Sequence, residues 1–94
     1  MFFKGGDIHG GKKIGTVTNF FKKINVVGFK TEETIIVGDK LRFLGKGGKI
    51  NITLAVESMQ KEHAPIQEAK PGDEIGIKVP ENVKVPEGCC VFKI

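Results

Sequence analysis

The stretch GDIHGGKK, residues 6–13, comes within one residue of the phosphate-cradling pattern G-x-x-x-x-G-K-[ST]. A phosphate loop follows a buried strand and opens a helix, so that backbone N–H groups converge on the phosphate while a Ser/Thr hydroxyl holds magnesium. Here Lys13 occupies the last position and offers no acceptor oxygen. The residues that follow, IGTVTNFF, are dominated by β-branched types and read as a strand. No nucleotide or other cofactor is expected. Ser58, Glu62 and His63 are residue types of a hydrolase, but Ser58 lies on no nucleophile elbow and spacing alone defines no triad, so no catalytic residue is assigned. His9, His63, Cys89 and Cys90 fit no zinc spacing, so no metal is expected. Adjacent cysteines on a strand diverge to opposite faces, which argues against a Cys89–Cys90 disulfide and leaves one of them to fill the core. The adjacent acids Glu32-Glu33 and Asp73-Glu74 diverge in the same way and read as solvated turn residues.

The basic residues are the remaining candidates for chemistry. Lys12 and Lys13 end the glycine-rich leader, Lys22 and Lys23 follow Phe20-Phe21, Arg42 lies in an apolar strand, and Lys46 and Lys49 flank a glycine loop. Lysine and glycine loops accommodate phosphate contacts at little steric cost. An exposed Phe20 would add a surface on which a base can stack. Phe21 continues the Val17 face and is expected to pack inward. The charge is asymmetric: ten Lys/Arg against four acids up to Lys49, then five Lys against seven acids. A basic first half of this kind suits a polyanionic partner.

These residues need a scaffold, and the punctuation of the chain indicates what it is. Glycine and proline recur at short intervals through the 94 residues, and almost nothing between them repeats with a helical period. Residues 1–13 read as a flexible Gly/Lys-rich leader and residues 14–94 as a single domain. Strands are expected at 14–19, 24–30, 40–44 and 50–56, the last with Ile50, Ile52, Leu54 and Val56 on one face. Phe20 to Lys23 reads as a turn or bulge, Ile35-Ile36-Val37 leads into a tight turn at Gly38-Asp39, and Ser58 to Lys70 reads as a polar connection. Lys70-Pro71-Gly72-Asp73 fits a type II turn, with Ile75, Ile77 and Val79 alternating after it. Val85 to Gly88 is a further turn before a closing strand at 89–94. The fold class is therefore all-β, and a small closed six-stranded antiparallel barrel is expected, because closure leaves no long open edge.

The order of these turns carries a resemblance. Gly15-Thr16-Val17, Val37-Gly38-Asp39, Val56-Glu57-Ser58-Met59 and Ala69-Lys70-Pro71-Gly72-Asp73-Glu74-Ile75-Gly76-Ile77 follow one another as in the second domain of translational GTPases such as elongation factor Tu. The stretches VESMQKEHAPIQEAKPGDEIGIKV and EGCCVFKI more closely resemble the C-terminal barrel of the collagenase-like peptidase family, some of whose members act in tRNA modification. The resemblance spans about residues 12–94. It implies a six-stranded barrel without the GTPase or peptidase domain that accompanies it in those families. Gly38 and Gly72 are expected at positive φ, and Gly76 at a close approach. The function expected is that of a non-catalytic module binding RNA, tRNA or the ribosome. The alternative is a protein-interaction module that docks on a separately encoded peptidase-like or tRNA-modifying enzyme. No apolar run is long enough for a membrane span, and a cytoplasmic location is expected from the unpaired cysteines.

Overall fold

A computed structural model describes residues 12–94 of the chain. Residues 1–11, which include most of the GDIHGGKK stretch and His9, lie outside the described residues. The strands are β1 (Lys12–Phe21), β2 (Val26–Lys30), β3 (Ile35–Ile36), β4 (Lys40–Leu44), β5 (Asn51–Ala55), β6 (Met59–Lys61), β7 (Ala64–Ile66), β8 (Glu68–Ala69), β9 (Glu74–Lys78) and β10 (Cys90–Lys93). Eight of them form one sheet in the order β5-β4-β10-β1-β2-β9-β6-β7, while β3 and β8 pair separately. All the pairings are antiparallel.

The sheet curls into a half-barrel, and the expected closed six-stranded barrel is not formed. Among the described residues β5 and β7 remain the two edges of the sheet. A cap replaces closure. Beyond the β3–β8 pair, Val37 N–H donates to the Gln67 carbonyl at 3.1 Å, and Gly38 N–H donates to the Val56 carbonyl at 2.8 Å. Backbone groups that would otherwise lie bare at the open end are thereby paired.

Curling originates in β1, whose first half pairs with β10 and whose second half pairs with β2. Two register shifts interrupt it, between Lys13 and Gly15 and between Val17 and Asn19. An extra residue in one strand bends it and sharpens its twist, which turns the sheet around the core. At the first shift Ile14 and Gly15 are both buried. At the second, Thr18 and Asn19 are both exposed, and the alternation is inverted from there on. Phe20 consequently pairs with Val27 and packs against the core, whereas Phe21 pairs with Val26 and is 48% exposed. The two phenylalanines exchange the roles expected from simple alternation, and both belong to β1 rather than to a turn. The turn is Lys22 to Asn25, with Asn25 at φ 54°, a conformation asparagine tolerates.

The inward face holds Ile14, Val17, Phe29, Leu41, Phe43, Ile77 and Val91, all nearly or fully buried. Cys89 joins them, and burial pushes its thiol up from the ordinary value, while Cys90 faces the other side half-buried. The pair is free, as the divergence of strand neighbours requires.

Two turns share one construction. At Ile36-Val37-Gly38-Asp39 and at Lys70-Pro71-Gly72-Asp73, glycine takes the third position with φ 104° and 93°. In each, the Asp N–H donates to the carbonyl of the first residue at 3.0 Å. In each, the Asp carboxylate accepts the first residue's N–H at 2.9 Å. Gly38 and Asp39 bracket Val56 with two backbone hydrogen bonds of 2.8 Å, and Gly72 and Asp73 bracket Thr31 in the same pattern at 2.8 and 3.0 Å. Each turn leads out of one strand of the β3–β8 pair, so the domain carries an internal pseudo-twofold relation between β3–β4 and β8–β9.

The segment expected as a polar connection, 58–70, contains a tight hairpin. β6 and β7 pair from Met59–Ile66 to Lys61–Ala64, leaving Glu62 and His63 as a two-residue loop. Both are at positive φ, 52° and 67°. This is the type I′ geometry, formed here without the Asn-Gly residues that usually announce it.

Candidate functional site

Strand pairing places the sequence candidates in separate regions. Lys12 opens β1 opposite Lys93, and its ammonium contacts Glu33 at 2.7 Å. That contact raises the Lys12 pKa and lowers that of Glu33. Lys22 and Lys23 are exposed at the tip of the β1–β2 hairpin. Lys46 lies in a 3-10 turn, Lys46–Gly48, and Lys49 is exposed just after it. Phe20 is half-buried and packs against the core.

Only Lys13 and Arg42 are brought together. Lys13 pairs with Phe92 of β10, Phe92 pairs with Arg42 of β4, and Arg42 pairs with Thr53 of β5. Directly opposed residues lie about 5 Å apart, so the half-buried Phe92 stands between the strand positions of Lys13 and Arg42. Arg42 Nε donates to Thr53 Oγ1 at 3.4 Å. Phe92 was not a sequence candidate, because its neighbours are set by long-range pairing that local pattern does not display.

A groove lies on the outer face of β1, β2, β9 and β6, with a volume of about 750 Å³. One row across it runs Asn19, Gly28, Gly76, Gln60. The two glycines lie between two carboxamides, with the Phe21 ring against Gly28 and the Val26 side chain against Gly76. Phe21 and Val26 line one end, while Lys30, Lys61, Glu62, Asp73 and Glu74 line the other. Lys61 contacts Asp73 at 3.0 Å. Asp73 is held below its ordinary 3.8, first by the Lys70 N–H and then by Lys61. Ser58, Glu62 and His63 share no hydrogen bond among the described residues, which include no group of three His, Cys, Asp or Glu side chains placed to hold a metal. The groove's residues come from four strands and from the turns at Glu62-His63 and Gly72-Asp73, and their convergence was not visible in sequence.

Fold and surfaces together define an all-β half-barrel domain with two candidate binding faces. Comparison with known proteins places it more narrowly. The chain is 34% identical over 80 residues to an uncharacterised protease of Methanocaldococcus jannaschii, a match covering 85% of this chain and 19% of that protein. It thus spans about a fifth of the curated relative's length. No family model matches the chain. Its fold is similar to the crystal structure of the C-terminal domain of a proposed U32 peptidase from Geobacillus thermoleovorans, with a TM-score of 0.75, 18% identity, and coverage of 86% of this chain and 90% of that one. The selenomethionine variant of the same domain gives 0.77, with 87% and 99% covered at 18% identity. The peptidase-domain part of the expected resemblance therefore holds at the level of fold. A likeness to the second domain of elongation factor Tu is not shown.

Proposed function

We propose that the chain is a non-catalytic companion domain of a peptidase-type enzyme, a binding module whose catalytic partner lies outside it. The supporting observation is the match to only 19% of an archaeal protease. Burial raises the pKa of the Cys89 thiol, which makes it a poor nucleophile. The test is to mix the domain with the Methanocaldococcus protease lacking its matching segment. Stable co-elution is expected, together with no hydrolysis of casein by the domain alone. Casein hydrolysis by the purified domain, or the absence of a complex at concentrations of about 100 µM, would overturn the reading.

A second reading, RNA or tRNA binding, is favoured by the Lys13–Phe92–Arg42 row. Base stacking on an aromatic residue contributes about 1–3 kcal/mol per base, with flanking cations to hold phosphate. Phe92→Ala should weaken binding to tRNA and to a single-stranded oligonucleotide by about tenfold or more in a low-salt titration. Lys13→Ala should instead flatten the salt dependence. Equal binding by wild type and both variants, or no binding at low salt, removes the RNA reading.

A further inference from the structure

The two edges of the sheet among the described residues differ in how they meet solvent. β7 is short, and its two-residue loop fixes which way its backbone faces. Ala64 and Ile66 turn toward β6, so the outward position is Pro65, which has no N–H to offer. β5 has no such protection. Its residues, Asn51 to Ala55, hold neither a charge nor a proline, and their register against β4 runs unbroken. Natural edges are ordinarily blunted, because a bare row of N–H and C=O groups is a template for another strand. Two hydrogen bonds fix the phase of this one. The Ile50 carbonyl accepts the Gly45 N–H at 2.8 Å, and the Val56 N–H donates to the Asp39 carbonyl at 2.8 Å. Alternation between them turns Ile52 and Leu54 toward β4 and leaves Asn51, Thr53 and Ala55 with N–H and C=O pointing off the edge.

We infer that β5 pairs with β5 of a second copy of this chain, antiparallel about a twofold axis through Thr53. Residues 49–57, KINITLAVE, are self-complementary in that arrangement. Thr53 faces Thr53 of the second copy and Asn51 faces its Ala55, so every outward N–H meets an outward carbonyl. Ile52 comes opposite Leu54 of the second copy on the inner face, and both are half-buried in the single chain, with area left to cover. Exposed Lys49, just before the strand, comes to the end that carries exposed Glu57, and the twofold axis repeats this contact at the other end. The order of charges is what selects a second copy. Antiparallel self-pairing joins opposite charges at both ends, whereas a parallel pair sets lysine beside lysine and glutamate beside glutamate. An interface of one strand from each side is small, so the dimer is weak, with a dissociation constant on the order of 10–100 µM.

This goes beyond the companion-domain reading, since self-association is measured on the chain alone and complex formation with a catalytic partner can fail independently of it. Sedimentation velocity of the full chain between about 5 and about 500 µM should show monomer giving way to dimer. In hydrogen exchange followed by NMR, the Asn51, Thr53 and Ala55 amides should be protected at the high concentration and exchange rapidly at the low one. Thr53→Lys, at an exposed position, sets two cations face to face on the axis and should weaken the dimer about tenfold or more. Lys49→Glu and Glu57→Lys make the two ends alike in charge and should each weaken it about threefold or more. A one-to-one mixture of those two variants should recover the dimer as a heterodimer, which a folding defect in either cannot produce. A chain monomeric throughout the range, a dimer whose three amides stay unprotected, a dimer indifferent to Thr53→Lys, or a mixture that does not recover would each overturn the proposal. So would a chain that stays monomeric alone yet loses its complex with the truncated Methanocaldococcus protease on Thr53→Lys, because the edge would then belong to the catalytic partner.

Discussion

Phe29→Ala should lower the unfolding free energy by about 3–5 kcal/mol, the upper range for loss of a buried aromatic side chain. Phe29 is 2% exposed and points inward from β2, opposite Val17 on one side and Ile75 on the other. It occupies the seam where β1 passes from β10 to β2. Its ring lies against Gly15, where a Cβ would stand 3.0 Å from Phe29 Cδ2 and 2.7 Å from the Lys30 carbonyl oxygen. The wall beneath the ring is therefore backbone held in a bulge, and it cannot swing a side chain into the vacated space. Cavities that cannot collapse carry the larger penalties. Small domains are stable by about 5–15 kcal/mol in total, so this one substitution should bring the domain near its threshold. Urea unfolding measures it, and Phe21→Ala is the internal comparison. With Phe21 48% exposed, that variant should cost under about 1 kcal/mol. If Phe21→Ala proved the costlier of the two, the register of the second half of β1 would be wrong.

That comparison also marks how far the sequence could be read. The all-β class followed from punctuation and alternation, and β4 matches its expected residues 40–44. The turns at Gly38 and Gly72 were legible because glycine at a positive-φ position is a local signal. Phe20 and Phe21 were misassigned because a bulge inverts the alternation without leaving a mark in residue type. The Glu62-His63 loop was missed for a related reason: the hairpin forces positive φ on residues that do not advertise it, so tertiary pairing overrides local preference. Closure was expected on the general ground that edges are costly. The chain instead covers its open end through backbone hydrogen bonds from 37–39 and the β3–β8 pair. The candidate site was least legible of all, since Phe92 stands between Lys13 and Arg42 only through pairings spanning most of the chain.

The two matching turns make the other large prediction. Gly38→Ala and Gly72→Ala should each cost about 1–2 kcal/mol, and the double variant about 2–4 kcal/mol. No atom lies within 4 Å of a Cβ built at either position, so the penalty is one of backbone conformation and larger side chains cannot relieve it. Additivity is expected because the turns leave opposite ends of the β3–β8 pair. A shared cooperative unit would show instead as a double-variant cost well above the sum. The aspartate that closes the second turn adds a pH signature. The Asp73 carboxylate accepts the Lys70 N–H and contacts Lys61, so its pKa in the folded state lies below the ordinary 3.8. A carboxyl depressed by folding contributes stability that is complete above the unfolded value and disappears as pH falls through the folded one. The wild-type urea midpoint should therefore fall as the solution is acidified below about pH 4. Asp73→Asn keeps a side-chain oxygen for the Lys70 N–H but loses the charge. It should be less stable than wild type at pH 7, and the difference should narrow as acidification protonates Asp73 in the wild type. A difference that stays constant down to pH 2 would show that the carboxylate's charge plays no part in holding the turn.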